Sequence, residues 1–512
     1  MLALPQEAKL LGRFACAFTA PGFDRFLVLC VGAIVTMGRR TVSRILWTMG
    51  DLADGDPSRY HRFFSAARWS MWPLARVLAA AVLELVPAEQ PVMLDCDDTV
   101  ARHPGKKVWA RGCHRDAVRS SWGHTVFKWG HKWVVLAVNV KLPPCKRSWA
   151  LPVLAALYTP AAGPKKKAAK KGNGKTSAKA RGPRAKTKRG TTARRHTTAP
   201  PTPRHKTPPL LARQMVATLI HWFPDRKFVL LGDWGFASHD LAWFCRRHRS
   251  HVTLVGRIRS DARLYALPPQ TKRPGPGRRP RKGSRLPRPK DTVASAAARA
   301  RISVAWYGGS CRAVQMLSGC GGWYRGRGNG TAALIPIRWV FVYEEQSDRE
   351  DYFYSTDPDM TPQRIVELFA GRWNIEVTFQ EVRAHLGFET TRQWCKNSVR
   401  RGGALLLGLF SVVALVWNEW AKTHRTKVHG TPCYAKTDPT FADALAAVRV
   451  LLWEQVILTH LPGGDLVTKL PPALRDRLPR PPLGRRLAER KCRSRGSVVF
   501  HRVVMTENAP TP

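Results

Sequence analysis

Between Gly163 and Pro209 the chain runs through Lys, Arg, Ala, Thr and Pro without a single acid and with almost no apolar bulk. Such a stretch cannot bury enough surface to offset the entropy of ordering itself, so it reads as a disordered basic loop. Any core must therefore be assembled from segments on both sides of it. A second tract, Thr271 to Lys290, repeats the pattern with PGPGRRPRKGSR. Two readings stay open for both tracts, solubilising insertions or clamps on a polyanion, and either makes phosphate binding salt-dependent.

The rest of the chain can pay for a core. Hydrophobic residues make up 44% of the 512 positions, which excludes global disorder, and the length suggests about two to four domains. Lys+Arg number 85 against 35 Asp+Glu, a formal net charge of +50. A globule alone would suffer that self-repulsion without return, so a polyanion partner is expected, nucleic acid first. The 11 Cys are scattered from Cys16 to Cys492 with no C-x-x-C pair, which indicates neither a disulfide framework nor a ribbon-type zinc site and suits a reducing cytoplasm. Glu7 and Lys9 interrupt what would be the apolar core of an export signal. The longest apolar run, Ala404 to Trp417, is shorter than the ~20 residues of a membrane span and reads as a buried helix, so no membrane partner is expected.

Residues 1 to 88 read as a helical N-terminal region: Phe26 to Met37, Thr41 to Met49, then one run from Ser58 to Val86, with the turn cluster GDLADG at Gly50 to Gly55. This is either a helix-turn-helix, with Arg39, Arg40, Arg44, Arg59 and Arg62 on phosphates, or an ordinary bundle. Strand patterns follow at Pro91 to Asp97, Lys132 to Val140 and Ser148 to Tyr158. Beyond the first tract come a helix (Leu210 to Phe223), a buried strand (Lys227 to Gly232), a helix (His239 to His248) and a strand (His251 to Val255). Three strands followed by helix, strand, helix, strand is an α/β order with a mixed sheet. Short strands at Ile302–Tyr307, Arg312–Leu317, Ile335–Tyr343 and Tyr352–Tyr354 precede one long helix, Pro362 to Leu386, and the chain after 398 turns helical before an Arg-rich tail.

Acids are scarce, so those at strand ends carry information. Alternation puts Met93, Asp95 and Asp97 on one face of the first strand, and the run Lys227–Gly232 terminates in Asp233. Were these strands parallel neighbours, both acids would lie outside the carboxyl ends, where α/β sheets bind ligands. On the long helix, Phe369, Arg372, Glu376 and Arg383 form one stripe beside an apolar seam of Leu368, Ile375, Phe379, Val382 and Leu386. Glu367, Asn374, Thr378, Glu381 and His385 take the far side. Singly, each acid has a structural explanation: an i, i+4 surface pair for Arg372 and Glu376, turn chemistry for an Asp after a strand. Together, three acids from separate elements in a basic chain are what a two-metal phosphodiester site requires. Mg²⁺ takes carboxylate oxygens, and two ions about 3.5–4 Å apart can activate a nucleophile and stabilise the leaving oxygen.

The segments LDCDDT around Asp97, LLGDWG around Asp233 and FAGRWNIEVTFQEVRAHLG around Glu376 resemble the DDE transposases of bacterial insertion sequences. The last is similar to the Y-x2-R-x3-E-x6-K signature of one branch. The resemblance spans roughly residues 60 to 420 and includes WGHKWVVLAV, Trp129 to Val138. It implies an RNase H-like catalytic domain over 89–398, interrupted by the insert 163–209 and by a β-rich insertion at about 257–355 that contains tract 271–290. A helical region over 399–512 would follow. It implies Asp97, Asp233 and Glu376 as ligands of two Mg²⁺ (or Mn²⁺) ions. Asp97, two before Thr99, ranks above Asp95 and Asp98. Arg372 matches the signature arginine, expected on phosphates, while Phe369 replaces the tyrosine and Arg383 the lysine; Phe369 lacks a hydroxyl, and Arg383 keeps charge with a different geometry.

The implied function is cut-and-paste transposition: strand cleavage at terminal inverted repeats, then strand transfer into target DNA by a homodimer in the nucleoid. The rivals are a catalytically inactive DNA-binding derivative and a structure-selective nuclease on the same fold. Three other motifs fail. GNGKT at Gly172 lacks the earlier glycine and preceding strand of a P-loop, His114-Arg115-Asp116 lacks the rest of a kinase signature, and Cys113, His114, His124 and His131 fit no standard zinc spacing.

Overall fold

The computed structural model describes residues 2, 4–116, 119–121, 123–160, 205–269, 280–306, 309–326, 333–428, 430 and 435–454. Most of the first basic tract, the first half of the second and the Arg-rich tail lie outside the described residues.

The N-terminal helices are α1 (Leu10–Arg13), α2 (Ala20–Val35), α3 (Val42–Met49), α4 (Pro57–Ser65) and α5 (Met71–Leu83). The run expected as one helix after Ser58 is two, for local reasons. Asp56 caps α4 by accepting from the Ser58 N–H, and Ser70 caps α5 by accepting from the Trp72 N–H. Pro73, lacking an N–H, fits only in the first turn, so α5 must begin just before it.

The strands are β1 (Val92–Arg102), β2 (Gly112–Arg115), β3 (Phe127–Lys141) and β4 (Ser148–Tyr158). After α6 (Pro208–Trp222) come β5 (Phe228–Gly232), α7 (His239–Arg247), β6 (Val252–Arg257), β7 (Leu264–Tyr265), α8 (Pro289–Ser295), β8 (Ala300–Ala305), β9 (Cys311–Arg325), β10 (Ala333–Glu344) and β11 (Arg349–Ser355). They form one 11-stranded sheet in the order β2-β3-β1-β5-β6-β11-β10-β9-β7, with β4 also on β3 and β8 also on β9. β4 and β1 each pair antiparallel with β3, whereas β1, β5 and β6 run parallel. This mixed order, antiparallel through β3 and parallel through β5, is the mixed α/β sheet expected from the sequence. The strands after β6 extend the same sheet, joined through the antiparallel pair β6 and β11.

Sequence patterning missed β2, β7 and α8, and β9 is far longer than Arg312–Leu317. Its second half, SGCGGW, hides its alternation behind glycines. Their reason is a close approach: a Cβ at Gly319 would meet the Trp339 ring at 2.8 Å. The described end of the second basic tract is also ordered. Arg285 bridges to Tyr265, and Lys282 lies 3.7 Å from the Tyr265 ring centroid.

Helices α9 (Pro362–Gly371), α10 (Asn374–His385), α11 (Lys396–Trp420) and α12 (Phe441–Leu452) complete the described chain. The predicted single helix 362–386 breaks between α9 and α10. Asn139 of β3 donates to the Gly371 carbonyl at 3.0 Å, taking the acceptor that Ile375 would use in a continuous helix; Ile375 N–H turns to the Arg372 carbonyl at 3.2 Å. The predicted seam divides accordingly. Leu368 and Phe369 join the smaller of two apolar clusters, with Val229, Leu231 and Val255, while Ile375, Phe379, Val382 and Leu386 join the larger. Thr378, expected on the far side, is buried and donates to the Ala150 carbonyl at 2.7 Å. Among the described helices, α11 is the one long and apolar enough to cross a membrane, and most of it is buried inside the fold. It comes so close to the sheet that a Cβ at Gly403 would meet the Trp133 ring at 2.2 Å.

Candidate active site

Parallel pairing of β1 with β5 ends at Cys96 opposite Gly232, so Asp97 and Asp233 emerge side by side at the carboxyl ends of neighbouring strands. Glu376 comes from the first turn of α10. The three acids that the sequence singled out thus belong to one end of the sheet, and they meet around an arginine. Arg372, only 3% exposed, donates through Nη1 to Asp97 Oδ2 at 3.1 Å and through Nη2 to Glu376 Oε1 at 3.0 Å. Burial works to lower its pKa, but the charges of Asp97, Glu376 and Asp233 outweigh burial and hold the guanidinium above its ordinary value.

The break between α9 and α10 shapes this nest. Asn139 Nδ2 donates both to the Gly371 carbonyl and to Asp95 Oδ2, each at 3.0 Å, and Asn374 donates to Asn139 Oδ1 at 3.3 Å. Asn139 thereby ties the turn carrying Arg372 to the strand carrying the acids. Its sequence signal was a lone amide in the apolar run KWVVLAVNV, a position the sequence reading passed over.

The three candidate acids on β1 have different surroundings. Asp95 is fully buried, and burial pushes its carboxyl well above the usual range. Asp98 points to the opposite face and pairs with Lys132 at 2.8 Å. Asp97 reaches Arg372, and burial, opposed by that arginine, raises its carboxyl to about 7.

Asp233 has a second arginine. Arg257 of β6 stands 3.6 Å from Asp233 Oδ1 and 3.1 Å from Asp351 on β11. Neither Arg257 nor Asp351 was singled out from the sequence, because their meeting depends on the pairing of β6 with β11. Phe369 is buried beneath both arginines, its ring centroid 5.4 Å from the Arg257 guanidinium and 5.4 Å from that of Arg372. Arg383 lies further along β1, where it donates to the Thr99 hydroxyl and stands 3.8 Å from Glu389. Of the arginines proposed for phosphate contact in the N-terminal region, Arg40 is buried and donates to the Ala33 and His385 carbonyls, so it does not face solvent.

Among the described residues, no group of three or more Asp, Glu, His or Cys side chains closes on one point as a metal site would. The carboxylates surround Arg372 instead. Their chemistry nevertheless fits a hard divalent cation: all donors are carboxylate oxygens, the place they enclose already holds positive charge, and Asp233 Oδ1 is buried without a hydrogen-bond partner. The Cys113, His114, His124 and His131 set is not such a site; His114 and His131 are buried, and His131 Nε2 pairs with the Trp109 carbonyl at 2.9 Å.

Residues 13–313 match the family described as DDE superfamily endonuclease, which is more than half of the chain. The protein belongs to this superfamily. Residues 330–422 match a family described as "Archaeal putative transposase ISC1217", so Asp97 and Asp233 fall in the first match and Glu376 in the second. No curated protein matches the chain. Among solved structures it is similar to the cryo-EM structure of the piggyBac transposase synaptic complex with hairpin DNA, at 12% identity, covering 99% of this chain and 86% of that one, with a TM-score of 0.36.

Proposed function

We propose that the protein is a cut-and-paste DNA transposase, which cleaves strands at the terminal inverted repeats of a mobile element and joins the freed ends to target DNA. The observation that supports it most is the convergence of Asp97, Asp233 and Glu376, from three separate elements, on the buried Arg372. In this reading the three carboxylates are the ligands of two Mg²⁺ ions, with Mn²⁺ as a substitute. Bound there, the ions supply an activated nucleophile and stabilise the leaving oxygen of the phosphodiester. Arg372 fixes Asp97 and Glu376 relative to each other, and Phe369 supports Arg372 from below. In this reading Arg383, more exposed than Arg372, meets the phosphates of the bound strand, while Arg372 is engaged by the acids. Two ends must be cut together, so the working form is a homodimer on DNA in the cytoplasm, at the nucleoid.

Asp97→Ala, Asp233→Ala and Glu376→Ala should each abolish Mg²⁺-dependent nicking of element-end DNA while leaving DNA binding within about twofold, by gel shift. Wild-type cleavage by any one of them would remove that residue from the site. Binding without nicking by the unaltered protein would mark a DNA-binding derivative, and cleavage of branched DNA without joined products a structure-selective nuclease.

A further inference from the structure

Beyond the acids, β1 and β3 run on together into a lobe that the proposed chemistry does not use. Their register is unbroken from Leu94 opposite Val138 to Arg102 opposite Gly130. Asp97 lies opposite Val135, so alternation puts Trp133, His131, Trp129 and Phe127 on the face of the sheet that carries Asp97. Trp133 and His131 are buried, but Trp129 is 52% exposed and Phe127 62% exposed. Trp394, 68% exposed, belongs to a segment tied to this lobe: its carbonyl accepts from the Trp109 N–H at 2.9 Å, and the Trp109 carbonyl pairs with His131 Nε2 at 2.9 Å. Large aromatics so exposed in one lobe mark an interaction surface.

Charge says what kind. From Thr99 to Lys132 the sequence contains Asp116 as its single acid, while Arg102, Lys106, Lys107, Arg115 and Arg119 are exposed. Arg111 stacks over the Trp129 ring, its guanidinium carbon 4.5 Å from the centroid. Aromatic faces interleaved with cations are the arrangement on which unpaired bases stack while their phosphates are neutralised. Six residues of strand separate Trp129 from the position opposite Asp97, about 20 Å, within reach of the same DNA molecule.

We propose that Phe127, Trp129 and Trp394, with Arg111, form a stacking platform for unpaired nucleotides of DNA held at the acidic site. The proposal rests on the DNA-cleaving reading above. It assigns this lobe the single-stranded part of the substrate, and the acids the scissile phosphate.

The test compares the full-length protein with a Phe127→Ala/Trp129→Ala/Trp394→Ala variant by fluorescence anisotropy, on blunt duplex and on the same duplex with a frayed, non-complementary end. The expected result is that the wild type prefers the frayed DNA, and that the variant loses this preference, on the order of tenfold for each base that stacked, with blunt-duplex affinity kept within about twofold. Arg111→Gln should weaken frayed-end binding in the same direction. Circular dichroism and nicking of blunt substrate report folding and the acidic site separately. No preference in the wild type, or its survival in the triple variant, overturns the platform while intact nicking leaves the cleavage reading standing. Failure of the wild type to bind any DNA overturns both. A variant that falls from dimer to monomer by light scattering, with DNA preference unchanged, assigns the surface to a second copy instead and overturns the proposal.

Discussion

Arg372 and Arg257 press on the same ring, Phe369, from equal distances, yet they are held differently. Arg372 makes hydrogen bonds of 3.1 and 3.0 Å to two carboxylates and its side chain is 4% exposed; Arg257 is 17% exposed, with its nearest approach to Asp233 at 3.6 Å. For Arg372 the surrounding acids outweigh burial and its pKa rises. For Arg257 burial outweighs Asp351 and Asp233, with Arg349 and Arg372 adding repulsion, and its pKa falls. One nest is electrostatically saturated, the other under-compensated. Asp233 is consequently the acid least tied down, which fits its buried oxygen left without a hydrogen bond.

The largest effect expected from this difference is on stability. Arg372→Ala leaves two carboxylates beside a buried gap and should cost roughly 3–5 kcal/mol in urea unfolding. Arg372→Lys, which keeps charge but cannot fork, should recover part of that. Arg257→Ala should cost less, about 1–2 kcal/mol. Equal losses for the two alanine variants would erase the distinction between the nests. Smaller still is the share of the ring. Phe369→Leu keeps most of the apolar contact and loses the cation–π term, about 0.5–1 kcal/mol for each arginine. Double-mutant cycles against Arg372→Lys and Arg257→Lys should show coupling of similar size, since the two distances are the same.

Which parts of this were readable beforehand follows from how local their causes are. β4 was read with its correct ends, and β5 and α7 to within a residue, because buried runs and capping residues such as Ser238 are written in consecutive positions. Asp97 and Asp233 could be placed together once β1 and β5 were taken as parallel neighbours, and their pairing is parallel. The break after Gly371 was not legible, since its cause, Asn139, lies far away in sequence on β3 and acts through a hydrogen bond to a backbone carbonyl. Arg257 and Asp351 were invisible for the same reason: their meeting is created by the register of β6 with β11. The helical stripe survives the break in part. Arg372 and Arg383 still follow one another along β1, at Asp97 and Thr99, while Phe369 turns inward.

The finest test of the two nests is their response to pH. Burial raises one acid in each, Asp97 to about 7 and Asp351 in the same direction, both opposed by their arginines. A carboxyl with a raised pKa holds its proton in the folded chain at a pH where the unfolded chain, with its ordinary value near 3.8, has released it. Folded molecules then bind more protons than unfolded ones, so this contribution to stability falls as pH rises through that window. Subtracting the profile of Asp97→Asn from that of the wild type should leave a decline running from about pH 4 up to about 7. The same subtraction for Asp351→Asn should leave a decline of the same sign starting from the same lower bound. Asp351 pairs with Arg257 at 3.1 Å and with Arg349 at 3.0 Å, so Arg257→Lys should alter its profile in part and leave that of Asp97 unchanged. A difference profile of opposite sign for either residue would mean that its arginine, and not burial, governs the carboxyl.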